Sequence, residues 1–334
     1  MRITVWLLAL SLLLPAAQLA AQTPAKDGLR LNQIQVLGTH NSYHVRPPAA
    51  ILKAAIAMRK EAKEWDYSRQ PLDEQLDRGV RSFELDLNLS DKGWQVMHVP
   101  GFDPGSTVPT FTDALVVVNR WSKAHPRHVP ISLLLELKEE GFQLNKAYRR
   151  PTASDVLRLD EEIRAALPAE RMLTPDDVRG DHKTLWDAVH NGGWPTLADA
   201  AGKVFVILHE NGANRDAYLD GHSALEGRAM FVESNLGQPH SAVLIRNNPT
   251  DPQIDDLARA GYLIRTRVDS QGDIRADRRK RALASGAHIL TTDYPRGEIE
   301  GDRAFALPED APAQANPITR PASRKDIVVR EPIP

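Results

Sequence analysis

The chain has 334 residues, 42% of them hydrophobic and 26% charged, enough to bury one large core or two of ordinary size. With 42 basic residues against 44 acidic ones and no long run of either sign, it carries no field that would attract nucleic acid, so no nucleic-acid partner is expected. It has no cysteine, which excludes disulfides, thiolate nucleophiles, zinc thiolate sites and a lipidated N-terminal cysteine, and leaves carboxylates and imidazoles as the catalytic and metal-binding groups.

Residues 1–21 carry Arg2 near the start, an apolar stretch at 5–14, Pro15, and small residues at Ala20 and Ala21 before Gln22. This reads as a cleaved signal peptide, because the apolar run is too short for a membrane span and no stop-transfer pattern follows. The mature protein is expected to be secreted or periplasmic, with residues 22–30 as a polar lead-in. An apolar run at 34–37 then ends abruptly in Gly38, Thr39, His40 and Asn41, so a first strand at 34–39 delivers polar groups at its end. The plain alternative is a strand entering a turn, with Asn41 and Ser42 in ordinary side-chain to backbone bonds. Pro47 and Pro48 open a predicted amphipathic helix in which Ile51, Leu52, Ala55, Ile56 and Met58 recur at helical spacing up to residue 63. That stripe is read first as core packing, and otherwise as an apolar rim for transient contact with a membrane surface.

A short helix at 72–78, closed by Gly79, leads into a second strand at 80–88, where Phe83, Leu85 and Leu87 alternate with Glu84, Asp86 and Asn88. Asp91-Lys92-Gly93 is a turn, and 94–98 is a third strand ending in His98. A helix at 110–124 and a fourth strand at 131–138, finishing in Glu136 and Lys138, follow. Beyond them lies a long polar excursion with a helix near 153–167 and a Gly-Gly-Trp-Pro segment at 192–195 whose place the pattern does not define. Further strands are expected at 204–208, ending at His209 and Glu210, at 229–233, at 263–268, where Arg265, Arg267 and Asp269 alternate with Ile264, Thr266 and Val268, and at 288–292, finishing at Asp293 and Tyr294. Helices are expected at 255–260 and 274–285. Residues 305–334 turn Pro-rich and polar and are expected to form a tail without a core of its own.

Eight strand-like segments, most separated by helical or long connections, indicate parallel β/α units and an α/β protein whose residues 31–304 form a (β/α)8 TIM barrel. The active site of that fold lies where the strands end. His40, Asn41, Glu84, Asp86, His98, Glu136, Lys138, Glu233, Arg267 and Asp293 fall at or near strand ends. His125, His128 and His288 precede strands, at the opposite end, where a surface role is expected.

Asn41, Glu84, Asp86 and Glu136 are all oxygen donors, which suits a hard divalent cation. Ca²⁺ takes six to eight oxygens at about 2.3 to 2.6 Å, and this many protein ligands favours it over Mg²⁺. Without a cation, three converging carboxylates would repel one another; the alternative for Glu84 and Asp86 is a solvent-facing strand edge. His40 and His98, at the ends of strands taken as neighbours, can flank a ligand on the cation and exchange protons near neutral pH. With Lys138 and Arg267 as anion clamps, the set describes phosphodiester cleavage without a protein nucleophile.

The segments Leu37-Gly38-Thr39-His40-Asn41-Ser42-Tyr43-His44, Ser82-Phe83-Glu84-Leu85-Asp86, Met97-His98 and Leu135-Glu136-Leu137-Lys138 resemble the bacterial calcium-dependent phosphoinositide-specific phospholipase C family, a branch of the phosphatidylinositol phosphodiesterase-like TIM barrels. Arg265-Thr266-Arg267-Val268-Asp269, Ala284-Ser285-Gly286-Ala287 and Thr292-Asp293-Tyr294-Pro295 are similar to that family as well, so the resemblance covers most of 31–303. It implies a calcium ion held by Asn41, Glu84, Asp86 and Glu136, with His40 and His98 as the catalytic pair. It also implies attack of the inositol 2-hydroxyl on its own phosphorus, giving diacylglycerol and a cyclic inositol phosphate. His98 is then the candidate acid for the glycerol oxygen. His40 would hydrogen-bond the phosphoryl oxygens or act as base, a calcium-bound carboxylate being the other candidate base. Lys138 and Arg267 would bind phosphate or inositol and Tyr294 would stack on the ring, against plain roles as surface cations and a packed aromatic. Two rival readings are a glycerophosphodiester phosphodiesterase, whose first histidine is typically followed by Arg-Gly where Asn41-Ser42 stands here, and a non-catalytic barrel that binds head groups.

Overall fold

The computed structural model describes residues 28–139, 143, 145–270 and 273–320, together with the backbone of 328–329. The expected signal peptide at 1–21 and most of the lead-in lie outside these residues. No helix among the described residues is long and apolar enough to cross a membrane.

In chain order the strands that position the site are β1 (Ile34–Thr39), β2 (Val80–Ser90), β3 (Gly93–Val96), β4 (Ile131–Lys138), β5 (Val204–Leu208), β6 (Met230–Val232), β7 (Val243–Ile245), β8 (Leu263–Arg267), β9 (Ile289–Thr292) and β10 (Ala313–Ala315). Eight of them run parallel in the order β6-β5-β4-β2-β1-β9-β8-β7. A single parallel bridge from Glu233 to Val243, with Ser234 N donating to Val243 O at 3.0 Å, joins β6 to β7 and closes the barrel. The result is the (β/α)8 architecture expected from the sequence. Its strands are buried along their length and their apolar side chains join those of the surrounding helices in one continuous core.

The number of barrel strands agrees with expectation, but one member differs. The predicted third strand is not a barrel stave. β3 pairs antiparallel with β2, Leu87 opposite Val96 and Ser90 opposite Gly93, because a connection of two residues can reverse a chain but cannot carry a parallel crossover. His40 and His98 therefore do not end neighbouring staves. The missing member is β7, whose three residues are too few to show an alternating pattern.

Local sequence accounts for five helix starts. Helices starting after Thr110, Thr152, Thr174, Thr184 and Thr196 each have the threonine side chain accepting from the backbone N–H of an aspartate three residues on. The predicted helix over 49–63 instead breaks at Arg59 into an α-helix, Ala49–Met58, and a 3-10 turn, Lys60–Trp65. From it Leu52, Ala55, Ala62 and Trp65 pack with Val99 and Phe102 into a small core separate from the main one. The Gly-Gly-Trp-Pro segment anchors a loop: Trp194 is fully buried and its indole N–H donates to Gly261 O at 2.8 Å.

Two expectations about the strand-start end of the barrel are corrected. His128 and His288 are buried, at 1% and 2% exposure, not on the surface. Backbone groups there still need partners. His288 supplies two: its Nδ1 accepts from Ile264 N at 3.0 Å and its Nε2 donates to Asn32 O at 2.9 Å. The Pro-rich stretch folds onto the same end as far as residue 320. Phe305, Leu307 and Ala313 are buried, β10 pairs antiparallel with the first half of β1, and the Asn316 amide donates to Gly286 O and Ala287 O.

Candidate active site

Glu84 and Asp86 are two residues apart on β2 and so project from one face, while the parallel register sets Asp86 beside Glu136 on β4. One carboxylate oxygen from each of Glu84, Asp86 and Glu136 lies within 4.8 Å of the others. Asn41, buried just past β1, adopts φ +45°, a left-handed conformation that asparagine tolerates better than most residues. Its turn is tied to β2 from both sides, Ser42 N donating to Glu84 O at 3.0 Å and Glu84 N donating to Ser42 Oγ at 2.9 Å.

Cations compensate this buried charge. Burial pushes the Glu84 carboxyl up, but Arg265, His40, His209 and Arg267 together hold it down at about 2. Arg265 is itself 2% exposed and is held by Glu84, Asn247 and Thr291. Lys138 Nζ lies 2.9 Å from Asp86 Oδ2 and 2.7 Å from Glu136 Oε1. Burial raises the Asp86 carboxyl above its ordinary value despite that ammonium, whereas Glu136 is held below its own against burial, chiefly by Lys138.

Each catalytic candidate has a carboxylate behind it. His40 Nδ1 lies 2.7 Å from Asp293 Oδ1, and Arg267 donates to Asp293 Oδ2 at 2.6 Å. Arg267 also sits 3.2 Å from the same imidazole nitrogen, but the shorter carboxylate contact takes the Nδ1 proton. That assignment leaves Nε2 on the carboxylate side, 3.7 Å from Glu84 Oε1. Burial would raise the Asp293 carboxyl, yet His40, Arg267 and Arg69 hold it well below the carboxylate range. Arg69, almost wholly buried, donates to His40 O and Asp293 O and pairs with Glu298. On the other side, His98 Nδ1 lies 2.8 Å from Asp103 Oδ2, and Trp65 meets the His98 ring edge-on at 5.2 Å. Asp103 is fully buried and also binds His44 Nε2 at 2.8 Å, and these two imidazoles keep its carboxyl low against burial.

A family model described as "Phosphoinositide phospholipase C, Ca2+-dependent" matches residues 29–93 and 87–317. The chain belongs to that family. This phospholipase C is thus a calcium-dependent enzyme acting on phosphoric diesters. Among solved structures, a Ca²⁺-dependent phosphatidylinositol-specific phospholipase C from Streptomyces antibioticus is 22% identical, with TM-score 0.58 over 79% of this chain and 95% of its own. A calcium-dependent phosphoinositol-specific phospholipase C from the Gram-negative Pseudomonas sp. is 18% identical, with TM-score 0.56 over 84% and 97%. At these identities the likeness speaks for the barrel fold. No curated protein matches the chain.

The donor set of this phospholipase C fits calcium. All ligand candidates are hard oxygens, and Asp86 Oδ1 is sealed from solvent with no hydrogen-bond partner among the described residues, a costly arrangement that a cation would relieve. Of the residues named from sequence, His40, Asn41, Glu84, Asp86, His98, Glu136, Lys138 and Arg267 gather at the strand-end mouth. Tyr294 does not join them in the same way: it is buried, with the Arg303 guanidinium over its ring at 4.4 Å. Sequence reasoning gave no role to Asp103, Asp293, Arg265 or Arg69, or to the His209 and Glu233 pair, 2.7 Å apart at the ends of β5 and β6. For Arg265 a signal existed, a charged residue alternating into the barrel within a strand. For Asp103 none did, since it lies in a turn five residues after its partner.

Proposed function

We propose that this chain is an exported phospholipase C that cleaves phosphatidylinositol, or a closely related phosphoinositide, to diacylglycerol and a cyclic inositol phosphate, with His40 and His98 moving the protons. One observation carries the reading: two imidazoles, each anchored through Nδ1 on its own carboxylate, border a cluster of three acidic groups at the strand-end mouth. Asn41, Glu84, Asp86 and Glu136 would hold calcium, which when bound neutralises phosphate charge and acidifies a bound hydroxyl. Asp103 keeps His98 oriented with Nε2 free to protonate the departing glycerol oxygen. Asp293 does the same for His40, whose Nε2 faces Glu84 and the attacking side, where it takes the 2-hydroxyl proton or bonds a phosphoryl oxygen. Arg267 and Lys138 supply positive charge for the phosphate or the inositol. Export is supported by the signal-like pattern at 1–21.

The lipid substrate needs a surface that meets the membrane, and the helix Ala49–Met58 offers one. Ile56 and Met58 are 37% and 73% exposed on it, and the small core beneath it reaches His98 through Trp65. The decisive experiment follows phosphorus products from phosphatidylinositol vesicles with and without a calcium chelator. Cyclic inositol phosphate should form, chelation should stop it reversibly, and His40→Ala and His98→Ala should each lose about a hundred-fold or more in kcat. Turnover that survives chelation would refute the metal assignment. Release of glycerol phosphate from glycerophosphocholine, without action on phosphatidylinositol, would point to the glycerophosphodiesterase reading instead.

A further inference from the structure

We propose that Lys138 is a built-in competitor of the divalent cation: its ammonium shares two of the ion's carboxylates, so it sets the calcium requirement and turns towards the anionic substrate when the ion binds. The inference rests on the assignment of Glu84, Asp86 and Glu136 as the calcium carboxylates. Lys138 lies two residues beyond Glu136 on β4, on the same face, and in register beside Asn88, two residues beyond Asp86. Its Nζ is within 2.9 Å of Asp86 Oδ2 and 2.7 Å of Glu136 Oε1. A calcium ion bound to the same two carboxylates, with its oxygens at about 2.3 to 2.6 Å, would set its double charge beside the ammonium, so the two cations repel each other and compete for that pair.

The two compensating cations differ in freedom. Arg265 is 2% exposed and locked by Glu84, Asn247 and Thr291, so it stays. Lys138 is 25% exposed at the side chain and sits on a flexible four-carbon stem, so it can leave. Formal charge gives its destination. Three carboxylates against Arg265 and a divalent ion sum to zero, so a displaced Lys138 adds one positive charge beside the ion. A singly charged phosphodiester balances it. The same lysine thus opposes calcium and favours the anion, which orders binding as calcium first and substrate second.

The test is calorimetric titration of the full chain with calcium at pH 7 and fixed ionic strength, without lipid, on the parent, Lys138→Met, Lys138→Arg and Glu136→Gln. Removing the ammonium should tighten calcium by about ten-fold or more, equivalent to about 1.4 kcal/mol. The arginine fork, which grips carboxylates through two bonds, should weaken calcium below the parent. With calcium saturating, inositol 1-phosphate should bind more weakly to Lys138→Met than to the parent. Calcium affinity equal or weaker in Lys138→Met would overturn the inference, as would arginine binding calcium as well as lysine does. If Glu136→Gln also leaves calcium affinity unchanged, the metal assignment falls too; if it abolishes binding while Lys138→Met shifts nothing, the competitor role falls alone.

Discussion

His288 makes this barrel acid-sensitive in a way that can be calculated. Burial at the strand-start end pushes its imidazole down from an ordinary value near 6.5 to about 4, because desolvation penalises the charged form, an effect its bond to Asn32 O only partly offsets. The neutral ring accepts from Ile264 N and donates to Asn32 O, so protonation would set two N–H groups against each other at Nδ1. Between about pH 6.5 and pH 4 the unfolded chain binds a proton that the native protein does not, and native stability therefore rises with pH across that window. Read from high pH downward, the contribution is intact above about 6.5 and is lost by about 4. At 1.36 kcal/mol per pH unit the loss amounts to about 3 kcal/mol. Urea denaturation of the parent and His288→Asn at several pH values reads this directly. The variant starts lower, because asparagine cannot make both bonds, but its stability should fall less steeply through the window. Parallel slopes for parent and variant between pH 4 and 6.5 would refute the reasoning, whatever the absolute stabilities.

The active site yields further expectations. Asp103→Asn removes the negative charge between His98 and His44 and turns one of the two accepting oxygens into a donor, so kcat should fall by about 10²- to 10⁴-fold with KM little changed; steady-state kinetics showing less than a three-fold loss would dismiss the carboxylate's orienting role. Arg265→Met strips the buried Glu84 of its principal cation and should cost about 3–5 kcal/mol in urea denaturation with chelator present, part of it restored by calcium. An equal loss with and without calcium would show that Glu84 does not face the ion. Ile56→Ser together with Met58→Ser should leave stability within about 0.5 kcal/mol, because both side chains are exposed. The same pair should weaken vesicle sedimentation while sparing turnover of a soluble inositol phosphodiester; unchanged vesicle binding would remove this helix from the membrane contact.

A residue's position is legible in the sequence where its own strand decides it and hidden where a partner far along the chain decides it. Glu84, Asp86 and Glu136 were visible because a strand two residues per period must present the first two together, and the parallel register with β4 adds the third. Asp293 was visible only as a strand end; its bond to His40 spans 253 positions and depends on β9 lying against β1. The mistaken stave has a similar cause. Trp94 to Val96 carry the alternation of a strand, and only the two-residue connection before Gly93 says that the pairing is antiparallel. Val243, Leu244 and Ile245 carry no period to detect, yet their neighbours supply the hydrogen bonds that make them the eighth stave. The burial of His288 is hidden from its local sequence because the 305–320 segment and the lead into β1 impose it by closing that end of the barrel.

The hairpin that upset the count also explains how two histidines from unlike settings reach one cluster. β2 continues for four residues beyond Asp86, about 13 Å at the rise of a strand, and so overshoots the mouth. β3 returns over the same distance, and Met97 N donates to Asp86 O at 3.2 Å, which brings the next residue, His98, back to the level of the carboxylates. Asn88 reinforces the descent by donating to Met97 O at 2.7 Å, and the Val99 to Asp103 turn, closed by reciprocal backbone bonds, sets Asp103 behind the ring. His40, by contrast, stands on the barrel wall itself, clamped by Asp293 and Arg69. One imidazole is thus fixed by the barrel and the other by an arm folded over it. If the two histidines act as proposed, this difference in support is what would let one serve the attacking side of a phosphorus and the other the departing side.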